Sequence, residues 1–91
     1  MYYKDVFVQD KSGLHAVIVA TIVHEVQNFH SDIQIINLET GIAASAKSAL
    51  SLFALDTVQG TPVRIVASGE DECEAVNHIS SLVTDSKLYR L

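Results

Sequence analysis

The chain is short of the residues that bridge, break or charge a polypeptide. A single cysteine, Cys73, leaves no intrachain disulfide to form, which excludes a small secreted scaffold held by bridges. One proline and four glycines are too few for a linker, and no low-complexity segment or internal repeat interrupts the 91 residues. Only six Lys and Arg stand against eleven Asp and Glu, a net charge of −5. That balance argues against a nucleic-acid or anionic-membrane surface and leaves a basic protein partner as the class an acidic domain is steered toward. No apolar stretch reaches the roughly 18–20 residues a membrane helix needs. The start, Met1-Tyr2-Tyr3-Lys4-Asp5, lacks the basic and apolar regions of a secretory signal. A cytoplasmic location is the expectation.

Against these shortages, 48% of the residues are hydrophobic and the mean hydropathy is +0.26, enough for a packed core in one domain spanning 1–91. Gly13, Gly41, Gly60 with Pro62, and Gly69 cut the chain into short elements. Tyr3 to Val8 reads as a strand and Gln9 to Gly13 as a loop. Val17-Ile18-Val19 favour a strand locally, but Val19, Ile22, Val23, Val26 and Phe29 recur at helical spacing, so His15 to Phe29 is predicted helical. Ile33 to Leu38 is a strand that turns at Glu39-Thr40-Gly41 into Ile42 to Ser45. Lys47 to Leu55 is a short helix with Leu52 and Leu55 inward. Thr61 to Ala67 alternates Val63, Ile65 and Ala67 inward with Arg64 outward. Ser68-Gly69-Glu70-Asp71 opens a last helix whose stripe holds Val76, Ile79, Leu82 and Val83.

The order β-α-β-β-α-β-α predicts an α+β fold: a four-stranded antiparallel sheet with three helices on one face. Its expected core is Val6, Val8, Ile22, Val26, Ile33, Ile35, Val63, Ile65, Val76, Ile79 and Val83.

Chemistry-bearing patterns are few. No two of His15, His24, His30 and His78 stand at the spacing of a helical zinc motif, and neither a Gly-rich phosphate loop nor a nucleophile elbow occurs. No metal or cofactor is expected. His24, His30 and His78 read as ordinary surface or half-buried residues, and Cys73 as a small core or semi-exposed one. His15 differs because it follows Gly13-Leu14 where a loop enters a helix, facing free backbone N–H groups that favour an anion. An imidazole nitrogen is a competent nucleophile near neutral pH. A phosphoryl group there gains roughly 0.3–1 kcal/mol from the helix end. The plain alternative is a helix cap, which spacing alone favours. Ser48 opens the short helix, either as an N-cap worth roughly 1 kcal/mol or as a phosphorylation site.

Gly13-Leu14-His15-Ala16, Ser45-Ala46-Lys47-Ser48, Gln59-Gly60-Thr61 and Ala67-Ser68-Gly69-Glu70-Asp71-Glu72 together resemble the histidine-containing phosphocarrier (HPr) family of the bacterial phosphoenolpyruvate-dependent sugar phosphotransferase system. The likeness runs from about Asp5 to Val83. It implies an open-faced β-sandwich in the order already read. It also implies that His15 takes a phosphoryl group from the phosphoenolpyruvate-dependent enzyme and passes it to a sugar-specific transporter component. Such a protein is a group carrier rather than a turnover enzyme. By the same resemblance, Ser48 matches a serine modified by a regulatory kinase, and Ala49, Leu50 and Phe53 match the apolar surface on which partners dock.

The family signature continues from His-Ala into Arg-Pro, where this chain has Val17 and Ile18. Loss of the arginine removes a charge-assisted contact to the phosphoryl group, a weakening of roughly 10- to 100-fold. The hairpin at Glu39-Thr40-Gly41 is slightly longer than the family's usual one, and the tail Asp85 to Leu91 extends past the likeness. Three function classes follow. One is a phosphocarrier on His15. The second is a non-catalytic HPr-like regulatory or protein-binding module under Ser48 control, with Val17 and Ile18 extending the apolar patch. The third is a fold member with an unrelated role.

Overall fold

In the computed structural model, which describes residues 1–84, the alternation of apolar and polar side chains becomes one sheet with a dry face and a wet face. The tail Asp85 to Leu91 lies outside the described residues. The strands are β1 (Tyr2–Phe7), β2 (Asp32–Asn37), β3 (Ala43–Ser45) and β4 (Pro62–Ser68), in the spatial order β1-β4-β2-β3 with every pair antiparallel. The last strand in sequence therefore fills the gap between the first two, and β1 and β2 are joined over it by a helix.

Three α-helices follow the predicted order: α1 (Ala16–Glu25), α2 (Ala49–Phe53) and α3 (Glu72–Thr84). The sheet is buried on one side only. Along β2 and β4, Ile33, Ile35, Val63, Ile65 and Ala67 are sealed, while Gln34, Arg64 and Val66 keep contact with solvent. α3 packs on β1 and β4, and α1 lies against both α2 and α3. Val8, Ile18, Val19, Ile22, Val26, Leu52, Leu55, Val76, Ile79 and Val83 complete the core. All the expected core positions are buried except Val6, which is half-buried on the edge strand β1 and packed against the cluster.

Several boundaries differ from the sequence pattern, each for a local reason. α1 stops at Glu25 and the chain tightens into a 3₁₀ turn over Val26–Asn28, so Phe29 stands in extended conformation beyond the helix. α2 is shorter than Lys47 to Leu55 because Ser48 caps it from an extended conformation and Asp56, with φ of +52°, turns the chain away. Cys73 is exposed on the first turn of α3, which corrects the expectation of a core or semi-exposed site. No helix among the described residues is long and apolar enough to cross a membrane.

Candidate functional site

The site is built where the β1–α1 loop meets the loop that precedes β4. Gly13 has φ of +69°, and a Cβ there would stand 2.1 Å from the carbonyl oxygen of Thr57, so only glycine permits this approach. The Leu14 N–H donates to Thr57 Oγ1 at 3.0 Å, and Gln59 Nε2 donates to the Gln9 carbonyl at 3.1 Å. Leu14 itself is buried. These ties fix the backbone from which His15 projects.

His15 is the N-cap residue of α1, extended at φ −85° and ψ 179°. Its Nδ1 accepts the Val17 N–H at 3.2 Å, and its carbonyl accepts the Val19 N–H at 2.9 Å. A ring nitrogen thus occupies the position from which an oxygen normally caps a helix. Because Nδ1 accepts, the proton of the neutral ring lies on Nε2. Nε2 faces Asp10 Oδ2 at 3.5 Å, while Asp10 Oδ1 accepts the Ser12 N–H at 2.9 Å. The His15 side chain is 29% exposed.

Ser48 caps α2, its Oγ accepting the Ser51 N–H at 3.2 Å. Ser48 is half-buried, where its place in the sequence predicts an exposed residue. Ala49, Leu50 and Phe53 are on the surface, with Leu50 81% exposed. Val17 faces solvent and is 52% exposed. Ile18 does not share that surface. It is 1% exposed, four residues before Ile22 on the core stripe of α1, and so cannot contribute to a partner face. The pairing of Val17 and Ile18 in one apolar patch is corrected accordingly.

The other histidines lie apart from this site. His24 and His30 are exposed; His78 is half-buried, its Nε2 3.1 Å from Glu25 Oε1 and its ring tilted against Phe29. Among the described residues, no three His, Cys, Asp or Glu side chains are grouped so as to hold a metal ion.

Two members of the site carry no family motif. In the sequence Asp10 is only one member of the polar loop Gln9 to Gly13; the structure makes it the head of a turn, accepting the Ser12 N–H, and a neighbour of the ring. Thr57, 43 residues from Leu14, has no local signal at all.

Residues 2–85 match the family described as "PTS HPr component phosphorylation site". The chain belongs to the HPr family of phosphocarriers. It is 42% identical over 83 residues to phosphocarrier protein HPr of Haemophilus influenzae, covering 91% of this chain and 95% of that one. The fold is similar to the crystal structure of HPr-C-His from Thermoanaerobacter tengcongensis, with a TM-score of 0.88, 28% identity and full coverage of both chains. A phosphocarrier protein HPr from Bacillus anthracis is similar at a TM-score of 0.83 and 33% identity, over 90% of this chain and 95% of that one. Family and relatives together make this HPr-family chain a phosphocarrier of the phosphotransferase system.

Proposed function

We propose that the chain, acting as one HPr-like domain over residues 1–91 in the cytoplasm, carries its phosphoryl group on Nδ1 of His15. The observation that carries this reading is the cap: Nδ1 is held at the N-terminus of α1 against the Val17 N–H. In the transfer, the Nδ1 lone pair attacks phosphorus while the bond to the donor breaks. The donor is the phosphoenolpyruvate-dependent phosphotransferase enzyme and the acceptor a sugar-specific transporter component. The new phosphoryl oxygens take over the Val17 N–H that Nδ1 gives up, and the helix dipole favours their charge by roughly 0.3–1 kcal/mol. Val17 supplies no counter-charge, so transfer is slower than with an arginine there.

Incubation with phosphoenolpyruvate and the upstream enzyme, followed by intact-mass analysis, tests the assignment. One acid-labile phosphate on the natural chain and none on His15→Ala is the expected result. A phosphate that survives in His15→Ala overturns it.

A second reading, a non-catalytic regulatory or protein-binding module, draws on the solvent-facing Val17 on α1 and on the exposed apolar residues of α2, a helix that α1 contacts. In either reading Ala49, Leu50, Phe53 and Val17 form the docking surface. Ser48 is the proposed target of a serine kinase. The Ser48 oxygen accepts one N–H, from Ser51, and keeps a second lone pair with which to attack phosphorus.

A further inference from the structure

The geometry points to Asp10 as the positioning residue that keeps the His15 proton on Nε2 and thereby holds Nδ1 ready both to accept and to release the phosphoryl group. The inference rests on the carrier reading above and adds a residue to it. Asp10 is held in place: Oδ1 accepts the Ser12 N–H at 2.9 Å, which leaves Oδ2 toward Nε2 at 3.5 Å. On the far side of the ring, Nδ1 accepts from Val17. The two contacts agree on one tautomer, with the carboxylate favouring a proton on Nε2 and the helix end favouring a lone pair on Nδ1.

The chemistry needs that proton twice. When Nδ1 forms its bond to phosphorus, a ring that retains its Nε2 proton becomes cationic, and the Asp10 carboxylate lies beside the new charge. The 3.5 Å separation is longer than a hydrogen bond and shortens as the ring gains charge, as such contacts do on passing from the free to the reacting state. When the phosphoryl group leaves, the electron pair of the N–P bond returns to Nδ1. With the proton in place the leaving group is a neutral imidazole; without it, an imidazolate, which is far poorer. Asp10 neither touches the phosphoryl group nor exchanges a proton with it. It acts through His15 alone.

Asp10→Asn separates this role from that of the turn. The amide oxygen still accepts the Ser12 N–H, so the loop is kept, while the amide NH₂ now faces Nε2 and prefers a lone pair there. Two measurements on the natural chain and this variant test the inference: the tautomer of His15 from its ring nitrogen-15 shifts at a pH where the ring is neutral, and the rate of phosphoryl release from the phosphorylated chain. The Nε2–H form is expected to dominate in the natural chain and to lose ground in Asp10→Asn, with release slowed by about tenfold or more. Asp10→Ala, which removes the turn contact as well, is expected to slow release to a similar degree. An unchanged tautomer or an unchanged release rate in Asp10→Asn overturns the assignment of Asp10 and leaves the carrier reading standing. A natural chain that takes no phosphoryl group on His15 overturns the carrier reading itself, and the tautomer measurement is made without phosphate.

Discussion

Val17 stands at the residue scale as the departure with the clearest consequence. It lies on the first turn of α1, its N–H bonded to His15 Nδ1 and its side chain in solvent. A longer, charged side chain at that position disturbs no packing and can reach an anion carried on the ring. Val17→Arg is therefore expected to raise the rate of phosphoryl transfer roughly 10- to 100-fold, measured with the phosphoenolpyruvate-dependent enzyme, with little change in melting temperature. If the chain acts only as a binding module, the same variant loses its partner in a pull-down and shows no transfer. Gly13 makes the opposite case, a residue without a side chain on which the site depends. A methyl group at Gly13 meets the Thr57 carbonyl at 2.1 Å in a backbone conformation that L-residues avoid. Gly13→Ala is expected to cost more than about 1 kcal/mol of stability and to slow transfer by displacing His15, as read by thermal melting and by phosphorylation kinetics.

At the scale of elements, the start of α3 is tied to the segment before β2 by one carboxylate. Asp71 accepts from the Ser31 hydroxyl and from the His30 and Ser31 N–H groups, the last two at 2.9 Å each. The Ser31 hydroxyl first, and then the His30 N–H, hold its pKa below the usual carboxylate value of 3.8. Asp5 is lowered by its hydrogen-bonded ion pair with Arg64, and Glu72 by the N-terminal amine. A carboxylate whose pKa is depressed by folding stabilises the fold above its unfolded pKa and loses that contribution as pH falls through the folded value. Resistance to urea is therefore expected to decline below about pH 4, and Asp71→Asn to lower it at pH 7 and to flatten, without abolishing, the acid-side slope. Further along α3, Ser80 Oγ is buried with no hydrogen-bond partner among the described residues. Ser80→Ala removes an unpaired hydroxyl and adds the best helix former, so it is expected to raise stability by about 1 kcal/mol in urea unfolding. Element boundaries were less legible than element identities. The apolar spacing runs through Phe29 without marking the turn at Val26, and α2 ends at Phe53, two residues before the Leu55 at which the sequence pattern closes it ahead of the Asp56 to Gly60 loop.

Over the whole molecule, the periodicities carried the fold because each one records burial against a single sheet face. Val63, Ile65 and Ala67 could be read inward from alternation alone, and Ile22, Val26, Val76 and Ile79 from helical spacing. The site was legible only where it is local: Gly13-Leu14-His15 ahead of a helix signals a capped N-terminus, whereas the Thr57 contact depends on two loops 43 residues apart being brought together by β4. Ile18 is misplaced by pairing it with Val17 as a joint departure from the family's Arg-Pro, whereas its four-residue spacing from Ile22 puts it inside. That difference between an inward and an outward apolar side chain supplies the last prediction. Leu50 is 81% exposed and Ile18 1%, on neighbouring helices. Ile18→Ala empties part of the core and is expected to cost about 2–5 kcal/mol, with a lower melting temperature. Leu50→Ala removes a side chain that only a partner can bury and places a good helix former in α2, so stability stays within about 0.5 kcal/mol. Its cost appears in association: KM of the phosphoryl donor enzyme for this chain rises about tenfold as apolar contact is lost, while kcat at saturation holds because His15 is untouched. Steady-state phosphorylation over a range of carrier concentrations reads the two constants separately. A fall in kcat with KM unchanged would place Leu50 in the chemistry rather than on the docking face.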